Sequence, residues 1–278
     1  MIQTHGKTEG YCGFTSAFQR SVVDKCGSIN GSGQPDLTTR ETNVSRFNYS
    51  VPAILAAAAL TAAMGASVLG ARAENAKPSS VDMLFERKHL ANVEAGADLA
   101  YKFQRTVSSA EILGQPFSDE IHVQIKKTAT DGARDVLVRV FTGDRAREPQ
   151  PIDGLTGNPV LVVFLDRAVS SYMSVAGGKI PYLKDKFRTA LRERSTVEPV
   201  KVTLGGKTVE AYRVSVSPYA GDLNASKMRG FENSKFSFVV SEAVPGYFVE
   251  LVAVYENTDK AAPRLEERTL MIGAEVAP

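Results

Sequence analysis

Strand-like segments joined by tight turns constrain the fold of this 278-residue chain more than any other feature. The clearest pair comprises residues 119–129 (DEIHVQIKKTA) and 134–143 (RDVLVRVFTG), which flank Asp131-Gly132. Apolar and polar residues alternate in both segments, as is typical of strands with one buried face. Asp-Gly is a preferred two-residue hairpin turn, and strands joined by so short a turn pair antiparallel. The pattern therefore predicts an antiparallel sheet.

Two helices follow this hairpin. Residues 158–176 and 181–194 carry apolar side chains at spacings of three and four, which is typical of amphipathic helices. Asn158-Pro159 is a favourable helix start, and Gly177-Gly178 is a favourable end. A strand through residues 160–165 is the alternative, because that segment is rich in β-branched residues.

Together these elements predict the α+β class, with a single antiparallel sheet or half-barrel of about eight strands and two or three covering helices. The third helix would be a short one within residues 80–96. Residues 144–159, rich in proline and glycine, are predicted to form a loop. Further strands are predicted within residues 97–107, 199–216, 234–257 and 265–276.

An alanine-rich run within residues 50–73 resembles the leader of an exported protein. Its most apolar part, residues 53–64, is shorter than the roughly 20 residues that a membrane span needs and matches the core of a signal peptide. Arg46 supplies the positive flank. A membrane anchor or a buried helix is the alternative interpretation.

Small residues end this run at the positions that signal peptidases require. Ala71 and Ala73 form an A-x-A pattern, which places the new N-terminus at Glu74. A polar segment follows, and no cysteine stands at the cleavage site to carry a lipid anchor. We therefore expect residues 74–278 to form a single mature domain in the periplasm or outside the cell.

Residues 1–49 show no sustained period of 2 or 3.6 and are rich in Gly, Ser and Thr. We expect a disordered extension, or one that is not part of the natural product because translation starts at Val44, which a bacterial GUG start codon would encode. Cys12 and Cys26 both lie in this segment. The mature domain would therefore have neither a disulfide nor a thiol nucleophile.

Composition disfavours several classes of function. Residues 74–278 carry 27 basic and 27 acidic residues, so no net positive field gathers phosphates, and nucleic acid is not an expected partner. The mature chain contains neither a G-x-S-x-G elbow nor a phosphate-binding glycine loop. Glu120 and His122 would share one strand face, but two ligands make a poor metal site. We predict no catalytic, cofactor-binding or metal-binding residue.

Two regions hold candidate binding residues. Near-continuous apolar runs between Phe236 and Tyr255 indicate either plain core or one wall of an apolar cavity. The cavity-lining candidates are Phe236, Phe238, Tyr247, Val249 and Leu251. The basic side of the second helix is either a solvated face or a surface that contacts anionic lipid or an acidic partner. Its contact candidates are Lys184, Arg188 and Arg192.

Residues 157–191 (GNPVLVVFLDRAVSSYMSVAGGKIPYLKDKFRTAL) and 244–257 (VPGYFVELVAVYEN) resemble a group of uncharacterised exported proteins of Gram-negative bacteria. The shared features are Asn158-Pro159, Gly177-Gly178, Pro218-Tyr219 and the turn 244–246. This resemblance implies export and no known activity. In the order of its elements alone, the chain is similar to periplasmic lipoprotein carriers of the LolA type, which implies an incomplete barrel with helices over an apolar cavity.

We therefore expect a non-enzymatic periplasmic protein, without a cofactor, that binds an apolar or amphiphilic, lipid-like ligand. The mature form would not span the membrane. The alternative is a structural or assembly module of the cell envelope that acts through protein contacts, made by the basic helix or by the loop 217–234. An enzyme that uses only carboxylates is a third hypothesis, for which the sequence singles out no pair.

Overall fold

A computed structural model describes residues 79–277, within one compact unit. The predicted leader, with Ala71, Ala73 and Glu74, and the segment 1–49 lie outside the described residues. The described strands are β1 (Asp98–Val107), β2 (Phe117–Thr128), β3 (Arg134–Val140), β4 (Gln150–Leu155), β5 (Thr196–Leu204), β6 (Lys207–Val216), β7 (Lys235–Val240), β8 (Phe248–Tyr255), β9 (Leu265–Met271) and β10 (Ala274–Val276). The long helices are α1 (Val160–Ala176) and α2 (Ile180–Glu193), and short helical turns span Asp82–Glu86, Ala110–Leu113, Gly143–Arg145 and Ala225–Lys227.

All ten strands form one open antiparallel sheet, in the order β10-β5-β6-β7-β8-β9-β1-β2-β3-β4. Most neighbours in the sheet are also neighbours in the chain, as expected when tight turns join antiparallel strands. In the predicted hairpin, Val123 pairs with Val138, and the two side chains are buried together. The α+β class and the helices over residues 158–176 and 181–194 are confirmed.

The last turn shows that the sheet is curled. Only Ile272 and Gly273 separate β9 from β10, so the three Cα–Cα steps of this link span at most about 11 Å. β10 nevertheless pairs with β5, which lies four strands away from β9. In a flat sheet that separation would be about 19 Å. The sheet must therefore curve until β5 approaches the end of β9.

Both long helices pack on the sheet through aromatic side chains. On α1, Phe164 meets Phe238 of β7 edge to face, with ring centroids 5.5 Å apart. On α2, Phe187 meets Phe236 in the same way at 4.9 Å. The Tyr255 hydroxyl of β8 donates to the carbonyl of Ala168 at 3.0 Å, which ties α1 to the centre of the sheet.

The two helices diverge by 116° at the three residues between them. In the described part of the chain, no single helix has the length and apolarity to cross a membrane. The bent pair α1–α2 reaches both only when it is taken together.

The sheet has two more strands than the sequence pattern indicated, and both lie at its edges. β4 occupies part of the predicted loop 144–159, and only Leu155 at its end is buried. A strand at the edge that contains Pro151 and Gly154 shows no alternation and resembles a loop. The predicted final strand is divided by its turn into β9 and β10, and the predicted third helix is reduced to the turn Asp82–Glu86.

A buried hydrogen-bond cluster fixes the start of α1 on the sheet. Asn158 Oδ1 accepts the backbone N–H of Val160 at 3.1 Å, which caps the helix. Its Nδ2 donates to the Tyr101 hydroxyl and to the Gly246 carbonyl, both at 2.8 Å. One amide side chain thus joins α1, β1 and the turn before β8.

His89 completes this cluster from the N-terminal side. Its Nδ1 accepts the backbone N–H of Asn158 at 3.3 Å, so Nε2 carries the proton and donates to the Met83 carbonyl at 3.0 Å. The imidazole stacks on Tyr247 at 4.8 Å. Burial lowers the pKa of His89 to about 4, against the hydrogen bond to Met83 and with a contribution from the Arg87 charge.

Replacing Gly246 with alanine tests this close approach. The new Cβ would overlap a Leu99 methyl group and lie 2.9 Å from Asn158 Nδ2, at a backbone φ of +74°. We expect Gly246→Ala to lower the free energy of unfolding in urea by about 3 kcal/mol. The control Gly206→Ala, at φ +79° in open space, should lose about 1 kcal/mol. Equal losses would mean that only the backbone conformation matters.

His89 also makes a signed prediction for pH. The folded pKa of about 4 lies below the unfolded value of 6.5, so the unfolded chain binds a proton first as the pH falls. Between those two pH values His89 should remove about 3 kcal/mol of stability, and above pH 6.5 it should add no pH dependence. Unfolding free energies of the wild type and of His89→Gln, measured from pH 4 to 8, should converge as the pH falls. Parallel curves would contradict this account.

Candidate ligand-binding site

A pocket of about 410 Å³ lies between the α1–α2 turn and the loop 217–234. Ala176, Leu183 and Met228 supply apolar surface, and all three are buried. The remaining lining residues are Gly177, Gly178, Lys179, Tyr182, Asn224 and Lys227. The pocket therefore has an apolar wall and a small number of polar side chains, as ligand sites usually do.

The two glycines form the helix-turn side of the pocket. Gly177 and Gly178 both adopt positive φ, +79° and +104°, which ends α1 and lets the chain turn into α2. Gly178 also lies against Leu183, because a Cβ there would be 3.4 Å from a Leu183 methyl group. The Gly-Gly stop of the sequence thus shapes a concavity as well as ending a helix.

Side-chain hydrogen bonds hold the loop side of the pocket in place. The Tyr182 hydroxyl donates to Asp222 Oδ1 at 2.6 Å and accepts from Asn224 Nδ2 at 2.9 Å. Lys186 of α2 pairs with Asp222 Oδ2 at 3.1 Å. Desolvation raises the pKa of the Asp222 carboxyl, but its hydrogen bonds to Tyr182, Asn224 and Lys186 outweigh that and hold it below its usual value. Asp222 is therefore fixed as an anion.

Lys179 and Lys227 are the two cations of the pocket. Both are exposed, and neither has a carboxylate within ion-pair distance in the part of the chain that the structure describes. The neighbouring carboxylate, Asp222, already accepts from Lys186 and Tyr182. The mouth of the pocket is thus positively charged while its wall is apolar.

The five cavity candidates from the sequence lie elsewhere, in the packed layer under the helices and around the Asn158 cluster. Phe236 and Phe238 contact the helices through Phe187 and Phe164, and Tyr247 stacks on His89. Val249 and Leu251 are fully buried in β8. None of the five lines the pocket at the α1–α2 turn.

The three predicted contact residues of α2 differ in exposure. Lys184 pairs with Asp166 of α1 at 2.9 Å, and its side chain is only 11% exposed. Arg188 is half-buried, whereas Arg192 projects into solvent. The basic residues that line the pocket together are instead Lys179 and Lys227.

A buried ion cluster on the helix-covered face is a separate feature. Glu267 of β9 is 2% exposed and accepts from Arg105 at 2.7 Å and from Arg167 at 2.8 Å through the same oxygen. The Arg167 guanidinium also lies 4.6 Å above the Phe103 ring. One carboxylate held by two guanidiniums joins β9, β1 and α1, which makes this cluster a packing element of the core.

The strand β2 presents His122 between two carboxylates. His122 Nδ1 and Nε2 lie 3.0 Å from Asp98 and Glu120 respectively. Partial burial lowers the pKa of His122, but hydrogen bonds to Glu120 and Asp98 outweigh it, so the pKa is raised. Asp119 turns away and accepts from Thr142. Within residues 79–277, no group of three or more histidine, cysteine, aspartate or glutamate side chains is arranged to hold a metal ion.

The pocket was not predicted from the sequence. Lys179 follows a glycine pair and resembles an ordinary turn residue, and Met228 and Lys227 belong to a loop without periodicity. The signals that the sequence offered were the Gly-Gly stop, which allows a sharp bend, and the long irregular loop 217–234.

Comparisons with known proteins give a weak likeness. No protein-family model matches the chain, and no curated protein matches it. Among solved structures, a LolA superfamily protein from Nitrosomonas europaea aligns with 8% identity over 72% of this chain and 94% of its own, with a TM-score of 0.17.

Removing the charge of Glu267 tests the buried ion cluster. We expect Glu267→Gln to lower the free energy of unfolding by about 3–5 kcal/mol, because two guanidiniums would lose the one carboxylate that pairs with them among residues 79–277. The control Glu250→Gln breaks a pair with Arg268, whose side chain is 38% exposed, and should cost about 1 kcal/mol. Chemical denaturation measures both. A loss for Glu267→Gln no larger than that of the control would contradict the proposed role.

Proposed function

We propose that this chain is a non-enzymatic, exported protein that binds an amphiphile with an anionic head group. The observation that carries the proposal is the pocket at the α1–α2 turn, in which apolar surface from Ala176, Leu183 and Met228 adjoins two lysines that have no carboxylate partner in the described part of the chain. Its volume of about 410 Å³ falls within the range of small-molecule sites, about 300–1,000 Å³.

The apolar wall and the cationic mouth of the pocket would make different contributions to binding. The apolar wall would take a hydrocarbon chain out of water, which contributes about 0.8 kcal/mol for each buried CH₂ group. Lys179 and Lys227 would meet a carboxylate or phosphate at the mouth, where a charge-assisted hydrogen bond is stronger than a neutral one. A neutral hydrocarbon would gain only the first contribution, so the pocket favours anionic amphiphiles.

The proposed compartment follows from the leader. The A-x-A site that ends at Ala73 supports export and a periplasmic or secreted location. Cell fractionation together with the N-terminal sequence of the recovered protein tests this part. A protein that begins at Glu74 outside the cytoplasm is expected, and an uncut chain in the cytosol would contradict it.

One observation favours the second candidate, an envelope assembly module. Leu223 lies next to the pocket residue Asn224 and is 97% exposed. The second candidate would use this side chain as a contact that a partner protein covers. Under this alternative, Leu223→Ser would abolish cross-linking to an envelope protein in cells and leave amphiphile binding unchanged.

Charge reversal at the pocket mouth tests the main proposal. We expect laurate to bind the wild type, and Lys179→Glu and Lys227→Glu each to weaken binding about tenfold in titration calorimetry, because each reversal replaces an attraction by a repulsion. The control Lys207→Glu reverses an exposed lysine that does not line the pocket and should leave the affinity unchanged.

Lauryl alcohol, which lacks the charge, should bind all four proteins with similar affinity. If laurate does not bind, or if Lys207→Glu weakens it as much as the pocket variants do, the proposal is wrong.

A further inference from the structure

One side of the pocket is formed by residues 221–227, a short segment of the loop 217–234 that we call the strap. The strap supplies Asn224 and Lys227 to the pocket lining. The α1–α2 turn supplies the facing side, including Lys179. The shape of the pocket and the approach of its two lysines therefore depend on where the strap lies.

The loop is anchored to the protein on both sides of the strap. Before the strap, Tyr219 is fully buried, and Arg194 donates to the Ala220 carbonyl at 2.6 Å. After the strap, Met228 and Phe231 are buried. The two ends of the strap are thus held in place independently of the strap itself.

Between these anchors the strap is held only lightly. None of its residues is buried, and Leu223 is 97% exposed. Within the described residues, the hydrogen bonds and ion pairs that join the strap to another helix or strand all reach α2: the Tyr182 hydroxyl binds Asp222 and Asn224, and Lys186 pairs with Asp222. Segments with little buried apolar surface open locally at a lower free energy than the core does. Two side chains of α2 therefore determine how readily the strap opens.

Asp222 is the centre of this attachment. Its side chain is only 2% exposed, and its two oxygens have different partners on α2: Oδ1 accepts from Tyr182 at 2.6 Å, and Oδ2 pairs with Lys186 at 3.1 Å. Oδ1 also accepts the backbone N–H of Asn224 at 2.7 Å, which stabilises a turn within the strap. Loss of the contacts with α2 would therefore release the strap without removing its own turn.

The first anchor is followed by a residue that can act as a hinge. Gly221 adopts φ +69°, and a Cβ at this position would have nothing within 4 Å. Glycine in open space can change its backbone angles at little cost. Gly230, beyond the second anchor, lies against the Asn257 side chain instead. The strap can therefore rotate most easily about Gly221.

We propose that the strap is a gate of the pocket and that Asp222 is its latch. The strap opens to admit the amphiphile when Asp222 leaves Tyr182 and Lys186, and it closes again over the bound molecule. An anionic head group favours the closed strap, because it offsets the repulsion between Lys227 on the strap and Lys179 on the helix turn. This inference rests on the proposed function and adds to it a mechanism of uptake and release.

The kinetics of laurate binding test the latch. Lys186→Gln and Asp222→Asn each remove one partner of the ion pair, and we expect each to raise the dissociation rate of isotope-labelled laurate about tenfold in NMR exchange experiments. The Kd from titration calorimetry should change by less than about threefold, because easier opening speeds uptake and release alike. The two substitutions change the net charge in opposite directions. A rise common to both therefore cannot come from long-range attraction of the anion.

Asp166→Asn is the matched control. Asp166 pairs with Lys184 of the same helix at 2.9 Å but belongs to α1 and not to the strap, so its loss should leave the laurate kinetics unchanged. Hydrogen–deuterium exchange gives a second measurement. Without laurate, the strap amides should exchange faster in both latch variants than in the wild type and the control. Laurate should slow their exchange in the wild type, a comparison that needs no substitution.

Three results would overturn the gate. If laurate binds but neither latch variant changes its kinetics or the exchange of the strap, the gate is refuted while the proposed function stands. If Kd rises as much as the dissociation rate, or if laurate does not slow the exchange of the wild-type strap, Asp222 only shapes the pocket. If laurate does not bind the wild type, the proposed function fails and the gate fails with it.

Discussion

An aromatic layer between the sheet and the two helices is the interaction on which the rest of the structure depends. The ring of Phe236 on β7 packs against three other aromatic rings. Its centroid lies 4.9 Å from that of Phe187 on α2, 5.9 Å from that of Tyr255 on β8 and 6.4 Å from that of Tyr219 in the loop 217–234. One ring thus contacts the sheet, a helix and the loop at once. Because these rings fix the loop against α1 and α2, they also determine where the pocket opens. Phe236 and Phe238, which the sequence suggested as a cavity wall, belong to this packed layer and do not line the pocket.

Local chemistry determined which parts of the structure were predictable. The hairpin around Asp131-Gly132 could be predicted because Val123 and Val138 alternate with polar neighbours and meet in the core. The edge strand β4 was not, since its pairing with β3 depends on backbone hydrogen bonds and its side chains are mostly exposed. The curl of the sheet could not be predicted from the sequence either, because it follows from the pairing of β10 with β5, which are far apart along the chain.

The candidate site was harder to predict than the fold for a related reason. Tyr219 is fully buried and Leu223 is fully exposed, yet both stand in one irregular loop without a period to separate inside from outside. Only tertiary contacts place Lys227 beside Lys179 at the pocket mouth. The apolar wall and the cationic mouth of the pocket therefore come from side chains whose grouping no sequence period reveals.

The most direct test is native mass spectrometry of the protein purified without detergent from the cells that make it. We expect a complex whose extra mass is released on denaturation as an anionic amphiphile, and we expect Lys179→Glu combined with Lys227→Glu to remove it. Recovery of the wild-type protein with no bound amphiphile, even after incubation with membrane lipids, would contradict the account.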